Sequence, residues 1–324
     1  MKPLFIFFIY LTFVNYININ SISYTFFNIQ LFLNILVFII LINSFRYIPN
    51  LGIKALSSFA FGSVILSGLF LLEISISDDE GRVSVLGINQ NQLGLMSAIS
   101  IFVYISILNS VSTKAHKIFI YLFIAMLSIL LIKTGSRTAF ISLLIGFMMF
   151  LFLNNFSKVK KIILFFGALI SSMLIWIISL EKSLIISRLV ETLETGHLSA
   201  RDLIWLKIFE IMKNDFLFGI GETGYAQKMY GSFMKFQGVS PHNVFIETIC
   251  YTGIFGLIIL LIFLFRVFKN SYLNYKHSNN ILSLVLLIPI LLVLLSGQIF
   301  DQKFIWLILS FIAVKFVDKK KILG

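Results

Sequence analysis

The chain has 324 residues, of which 59% are hydrophobic and only 12% charged, and its mean hydropathy is +0.99. A soluble domain carries about 45 to 50% apolar and about 25% charged residues, and one core of this size could not hide 36 Phe, 11 Tyr and 3 Trp, so lipid must be the solvent over most of the chain. A single cysteine, Cys250, excludes a disulfide framework and a cysteine-rich metal site within one chain.

In chain order, apolar stretches near residues 3–16, 22–43, 52–74, 93–109, 118–134, 138–153, 162–180, 242–268, 281–297 and 303–317 are candidates to cross a hydrocarbon core of about 30 Å. They predict an all-α polytopic membrane protein with about ten transmembrane helices and one large external loop between the seventh and eighth spans. The first, fifth, sixth and tenth stretches fall short of the ~20 residues of a comfortable span. The first has the length of a signal sequence, but Asn15, Asn18 and Asn20 follow it without a small-residue cleavage site, so it is read as a span. The expected organisation is N-terminal helices over 1–74, a core over 75–268 that includes the external loop 181–241, and C-terminal helices with a basic tail over 269–324.

Placing the basic N-terminus in the cytoplasm and alternating through ten spans puts 15 of the 26 Lys and Arg on the cytoplasmic side, with only Asp318 against them. That face carries about +14 and the opposite face about −2. The net charge of +12 is therefore a topology signal rather than a nucleic-acid footprint. The unusual polar residues gather on the external side, where loops held by a rigid scaffold can carry a binding or catalytic site.

The first external loop offers Arg82 and then Gly87-Ile-Asn89-Gln-Asn91, with Asn89 or Asn91 expected to cap the span that follows. Its Asp78-Asp79-Glu80 could hold a divalent cation, and is read instead as a solvated turn for want of another carboxylate at ligand spacing. Thr134-Gly-Ser136-Arg137 ends one span and opens the next, with Ser136 or Thr134 as cap and Arg137 in the first turn. In the long loop, Ser199-Ala-Arg201-Asp202 has capping-box spacing and predicts an interfacial helix running through Trp205 toward Phe218. Arg201 in its first turn is either a phosphate clamp or a snorkelling side chain. Phe218-Gly219-Ile220-Gly221-Glu222-Thr223-Gly224-Tyr225 is expected to end that helix in a glycine-rich turn. Ser240-Pro241-His242-Asn243 then opens the next span, with Ser240 as N-cap and Pro241 first in the helix, which would place His242 at a helix N-terminus whose dipole keeps the imidazole neutral.

In this order the pieces resemble the O-antigen ligase and polymerase family of polytopic transferases. The stretches that carry the resemblance are Arg82-Val-Ser-Val-Leu-Gly-Ile-Asn89-Gln-Asn91, Gly135-Ser136-Arg137-Thr-Ala139, Arg201-Asp-Leu-Ile-Trp205 leading to Phe218-Gly219-Ile-Gly221, and His242-Asn243 with Gly253 and Gly256. The resemblance implies a glycan donor on a polyprenyl (undecaprenyl) pyrophosphate and a glycan or lipid-bound sugar as acceptor. It further implies a bacterial inner membrane location with the site facing the periplasm or exterior, as in O-antigen and lipopolysaccharide biosynthesis. Neither cofactor nor metal is called for, and no nucleic acid is a partner. Carried over by position, Arg137 and Arg201, with Arg82 and Arg188, become pyrophosphate ligands and His242 the base that activates the acceptor; Ser136, Asn243, Gly219, Gly221 and Tyr225 support them. The rival class is a transporter or flippase of a lipid-linked glycan, which would place ionisable residues near the bilayer midplane in repeated, broken helices.

Overall fold

The computed structural model describes residues 2–17, 23–48, 50–78, 81–108, 110–154, 190, 201–232, 240–279 and 281–315. Its helices are α1 (Lys2–Ile17), α2 (Ser23–Tyr47), α3 (Leu51–Leu71), α4 (Gln90–Leu108), α5 (Lys114–Lys133), α6 (Arg137–Leu153), α7 (Arg201–Ile211), α8 (Gly221–Ser232), α9 (Val244–Ser278), α10 (Ile281–Val285), α11 (Leu287–Ser296) and α12 (Lys303–Ala313). Among the described residues, five helical stretches are long and apolar enough to cross a membrane: Phe27–Tyr47, Leu51–Leu71, Gln90–Leu108, Lys114–Lys133 and Val244–His277. Shorter apolar helices cover Lys2–Ile17, Arg137–Leu153, Ile281–Ser296 and Lys303–Ala313. The expected span at 162–180 and most of the loop before Arg201, Arg188 included, lie outside the described residues. The helical reading therefore holds, with one addition. Ile76–Ser77 (β1) pairs antiparallel with Val83–Ser84 (β2), in the register Ile76 to Ser84 and Ser77 to Val83, inside what the sequence showed only as a loop.

The chain folds as two compact units, each assembled from separate stretches of sequence: Met1–Pro49 with His197–Asn274 and Ile290–Gly324, and Asn50–Gly196 with Tyr275–Pro289. In the second unit α4 is central and packs against α3, α5, α6 and α10. Small residues permit this. A Cβ on Gly94 would lie 2.7 Å from Thr134 Oγ1 and 2.8 Å from the Ser136 Cβ, so α4 meets the turn between α5 and α6 where no side chain fits. The Ser97 hydroxyl donates to the Leu93 carbonyl at 2.9 Å and the Ser100 hydroxyl to Met96 at 2.7 Å, so both buried polar groups are satisfied inside their own helix.

In the first unit α2 packs against α12 and α1, and α8 rests on both α1 and α2. The Phe38 ring meets Trp306 edge-on at 5.7 Å and Phe263 at 5.6 Å, and Asn34 Nδ2 donates to the Phe300 carbonyl at 2.8 Å. Helices in both units turn large apolar side chains outward, Ile9, Phe13, Ile40, Phe119 and Phe265 among them, which is the pattern of helices solvated by lipid.

Helix α9 is broken at Gly253, where φ is 63° and ψ is −165°. In a continuous helix the Ile254 N–H would donate to the Cys250 carbonyl. Here it donates to the Phe216 carbonyl at 3.1 Å, while the Cys250 carbonyl accepts from the Ile220 N–H at 2.8 Å. The segment after α7 thus satisfies both backbone groups that the break would orphan. Contact is close enough to require glycine on each side. A Cβ on Gly219, whose φ is +81°, would lie 2.5 Å from the Thr252 nitrogen and 2.6 Å from that of Gly253.

Candidate active site

Within the second unit, the loop between α3 and α4 meets the turn between α5 and α6. Arg82 Nε donates to the Thr134 carbonyl at 3.1 Å and Arg82 Nη2 to Asn91 Oδ1 at 2.9 Å. The Asp78 carboxylate accepts from the Arg82 N–H at 2.8 Å and from Gln90 Nε2 at 3.2 Å, so it closes the hairpin turn; Asp79 and Glu80 lie outside the described residues. Of the two cap candidates before α4, Asn89 does the capping, its Oδ1 accepting the Asn91 N–H at 2.9 Å, while Asn91 is left to receive Arg82. Ser136, rather than Thr134, is the N-cap of α6, with its hydroxyl facing the Ala139 N–H at 3.4 Å. Arg137 follows as the first helical residue and is half-buried.

Within the first unit, α7 and the start of α9 come together. Arg201 and Trp205 are one turn apart on α7, and Trp205 Nε1 donates to the Pro241 carbonyl at 2.8 Å. Trp205, Ile208 and Met212 face inward, Ile208 and Met212 fully so, whereas Leu203, Leu206 and Phe209 are exposed. The helix is shorter than its sequence suggested. It ends at Ile211 and continues as turns through Phe218, because Asn214 and Asp215 favour turn backbone and the following residues are drawn onto the α9 break.

Two expectations need correction. The glycines from Gly221 do not form a turn but open α8, whose first N–H groups are capped from a distance: Asn15 Oδ1 accepts the Glu222 N–H at 2.8 Å. Gly221 is needed there because a Cβ would lie 2.6 Å from the same Asn15 oxygen. Tyr225 is buried on α8 with its ring edge-on to Tyr251 at 5.8 Å. At the other end, α9 begins at Val244, and its cap is Asn243, whose Oδ1 accepts from the Phe245 and Ile246 N–H groups at 3.0 and 3.1 Å. Ser240 instead accepts the His242 N–H at 3.0 Å, and His242 sits before the helix in left-handed backbone with φ of 50°. A residue outside the helix does not feel the dipole as one in the first turn does. The imidazole is nevertheless held below its ordinary value of 6.5, by burial first and by the nearby Arg201 charge second. One turn further on, the Glu247 carboxylate is turned to Tyr251 and Gln298 rather than to His242.

Sequence reasoning missed Asn15 and the hydrogen-bonding role of Trp205. Asn15 lies 207 positions from the N–H it caps, and the only signal was a polar residue inside an apolar helix.

Residues 120–261 match the family model for O-antigen ligase. No curated protein matches the chain. The apolar helices and this match together support a helical membrane protein with a glycan-ligating function. Over residues 120–261, which include Arg137, Arg201 and His242, the chain is similar to the O-antigen ligase family.

Proposed function

We propose that the protein transfers or polymerises glycan from a polyprenyl (undecaprenyl) diphosphate donor onto a glycan or lipid-bound sugar, at the outward face of a bacterial cytoplasmic membrane. The observation that carries this reading is the pairing on one unit of Arg201, in the first turn of α7, with a His242 imidazole kept neutral by burial and by that arginine.

In the reaction the acceptor hydroxyl loses its proton to the imidazole as its oxygen attacks the anomeric carbon of the donor sugar. The bond from that carbon to the diphosphate oxygen breaks, and the polyprenyl diphosphate leaves with the electron pair. Two demands follow: a base with a proton affinity near working pH, and fixed positive charge on the leaving group. A neutral imidazole meets the first. Arginine meets the second with a planar fork that matches two phosphate oxygens and a charge that cannot be lost. Arg137 and Arg188 are assigned to diphosphate binding by sequence resemblance. Arg82, which donates to the Thr134 carbonyl and to Asn91, is assigned to holding the turn that delivers Arg137 as well as to the diphosphate.

The test uses purified protein in lipid nanodiscs with a polyprenyl-diphosphate-linked oligosaccharide. His242→Ala should keep donor binding and lose about 10²- to 10⁴-fold in turnover. Arg201→Lys should lose donor binding despite keeping its charge. Burial and the Arg201 charge both disfavour the imidazolium, so the wild-type rate should fall on acidification only at a pH lower than an ordinary imidazole would give. Near-normal transfer by His242→Ala would remove the assignment. In cells, one repeat unit on the anchor in a deletion strain marks a polymerase, and unattached polymer on the polyprenyl lipid marks a ligase.

A further inference from the structure

We propose that Trp205 is a positioning residue that fixes the separation of the Arg201 guanidinium and the His242 ring, through its hydrogen bond to the Pro241 carbonyl. The proposal rests on the roles just given to Arg201 and His242, and it concerns a side chain to which neither the sequence motifs nor those roles assign any chemistry.

The geometry is specific. The Pro241 carbonyl and the His242 N–H belong to one peptide unit, which is planar and rigid. That unit is held at both ends: its carbonyl accepts from Trp205 Nε1 at 2.8 Å, and its N–H donates to Ser240 Oγ at 3.0 Å. Fixing a plane at two points fixes the direction in which the His242 Cα and side chain depart from it. His242 needs such holding, because φ of 50° is a costly backbone state for a residue with a Cβ and persists only where its surroundings enforce it. Immediately after it, Asn243 ties the chain to α9 through the Phe245 and Ile246 N–H groups and donates from Nδ2 to the Leu295 carbonyl at 3.1 Å. On the other side, Trp205 stands one turn from Arg201 on the same face of α7, so a single helix carries the proposed phosphate ligand and the clamp on the base.

The plain alternative is an interfacial indole, whose N–H serves only to meet water at the membrane boundary. That role predicts no effect of the N–H on His242. The charges near His242 make the two separable. Arg201 on α7 is the charged group that acts on the imidazole; Lys207 and Glu210 further along α7 pair with each other at 2.8 Å, and Glu247 on α9 is turned to Tyr251 and Gln298.

The experiment compares wild type with Trp205→Phe and with an isostere at position 205 in which sulfur replaces the indole N–H, introduced by codon suppression. The isostere keeps the shape should Phe fold poorly. His242 is titrated by NMR on histidine-labelled protein in nanodiscs, its signal assigned by loss in His242→Ala, and kcat and KM for the lipid-linked donor are measured in parallel. Loss of the N–H should raise the His242 titration midpoint toward about 6.5 and lower kcat about ten- to a hundredfold, with a smaller change in KM. An unmoved midpoint overturns the proposal, whether or not kcat falls, because Trp205 would then act elsewhere. If the midpoint moves as expected while His242→Ala transfers glycan normally, positioning stands and the reading of His242 as base fails.

Discussion

Adding one methyl group at Gly219 should disable the protein more thoroughly than its size suggests. The new Cβ would lie 2.5 Å from the Thr252 nitrogen, 2.6 Å from the Gly253 nitrogen and 2.7 Å from the Tyr251 carbonyl carbon, all backbone atoms that cannot rotate away. The φ of +81° adds about 1 to 2 kcal/mol for a residue with a Cβ. Relief of the clash lifts the segment off α9 and breaks the bonds from Ile220 to Cys250 and from Ile254 to Phe216, at about 1 to 3 kcal/mol per bond. Together these amount to roughly 3 to 8 kcal/mol, or a melting temperature lower by about 6 °C or more. Thermal unfolding in nanodiscs followed by tryptophan fluorescence measures it, with glycan transfer assayed on the same preparations. Gly62→Ala in α3 is the matched control, since a Cβ there meets nothing within 4 Å, and it should be neutral or slightly stabilising. A Gly219→Ala protein that melts and transfers like wild type would refute the idea that the break in α9 depends on this contact.

Three further outcomes follow from the same structure. Asn243→Ala removes the acceptor for the Phe245 and Ile246 N–H groups, so it should cost about 0.5 to 2 kcal/mol in thermal unfolding, and it should slow transfer because the cap adjoins His242. If arginines alone neutralise the leaving diphosphate, transfer should survive a strong chelator and Asp78→Asn should retain substantial activity; full loss restored by magnesium would move the chemistry to the acidic turn. A reporter active only outside the cytoplasm should be silent when fused within 154–161 or 269–280 and active near residue 230, and the reverse pattern would put the assigned residues in the wrong compartment.

Much of the helical fold could be read from composition, because an apolar run near 20 residues has few alternatives in lipid and the short polar turns between runs mark where helices end. Local chemistry near the ends was readable for the same reason: Ser136 and Asn89 cap helices a residue or two away, within the range over which sequence neighbours are spatial neighbours. What was illegible is what depends on distant parts of the chain. Helix α8 begins at a glycine-rich stretch that local propensity reads as a turn, and it is a helix because Asn15 reaches its first N–H. The start of α9 was misplaced by a local competition, since Ser240 and Asn243 are both good caps, and what separates them is the turn that Trp205 and Ser240 impose on the peptide between. His242 was legible as a residue with the right chemistry at a helix end. The origin of its lowered proton affinity was not, because burial and a charge on another helix are tertiary facts.

The break in α9 also bears on biogenesis. Gly253 is able to adopt helical backbone, and a helix entering the bilayer before its partners arrive has every reason to remain continuous, because an unsatisfied backbone group in hydrocarbon costs several kcal/mol. The continuous form keeps one bond, from Ile254 to Cys250. When the segment around Gly219 arrives, that bond is exchanged for two, from Ile220 to Cys250 and from Ile254 to Phe216. The contact at Gly219 is then a step of assembly as well as a feature of the finished fold: two stretches distant in sequence complete each other's backbone.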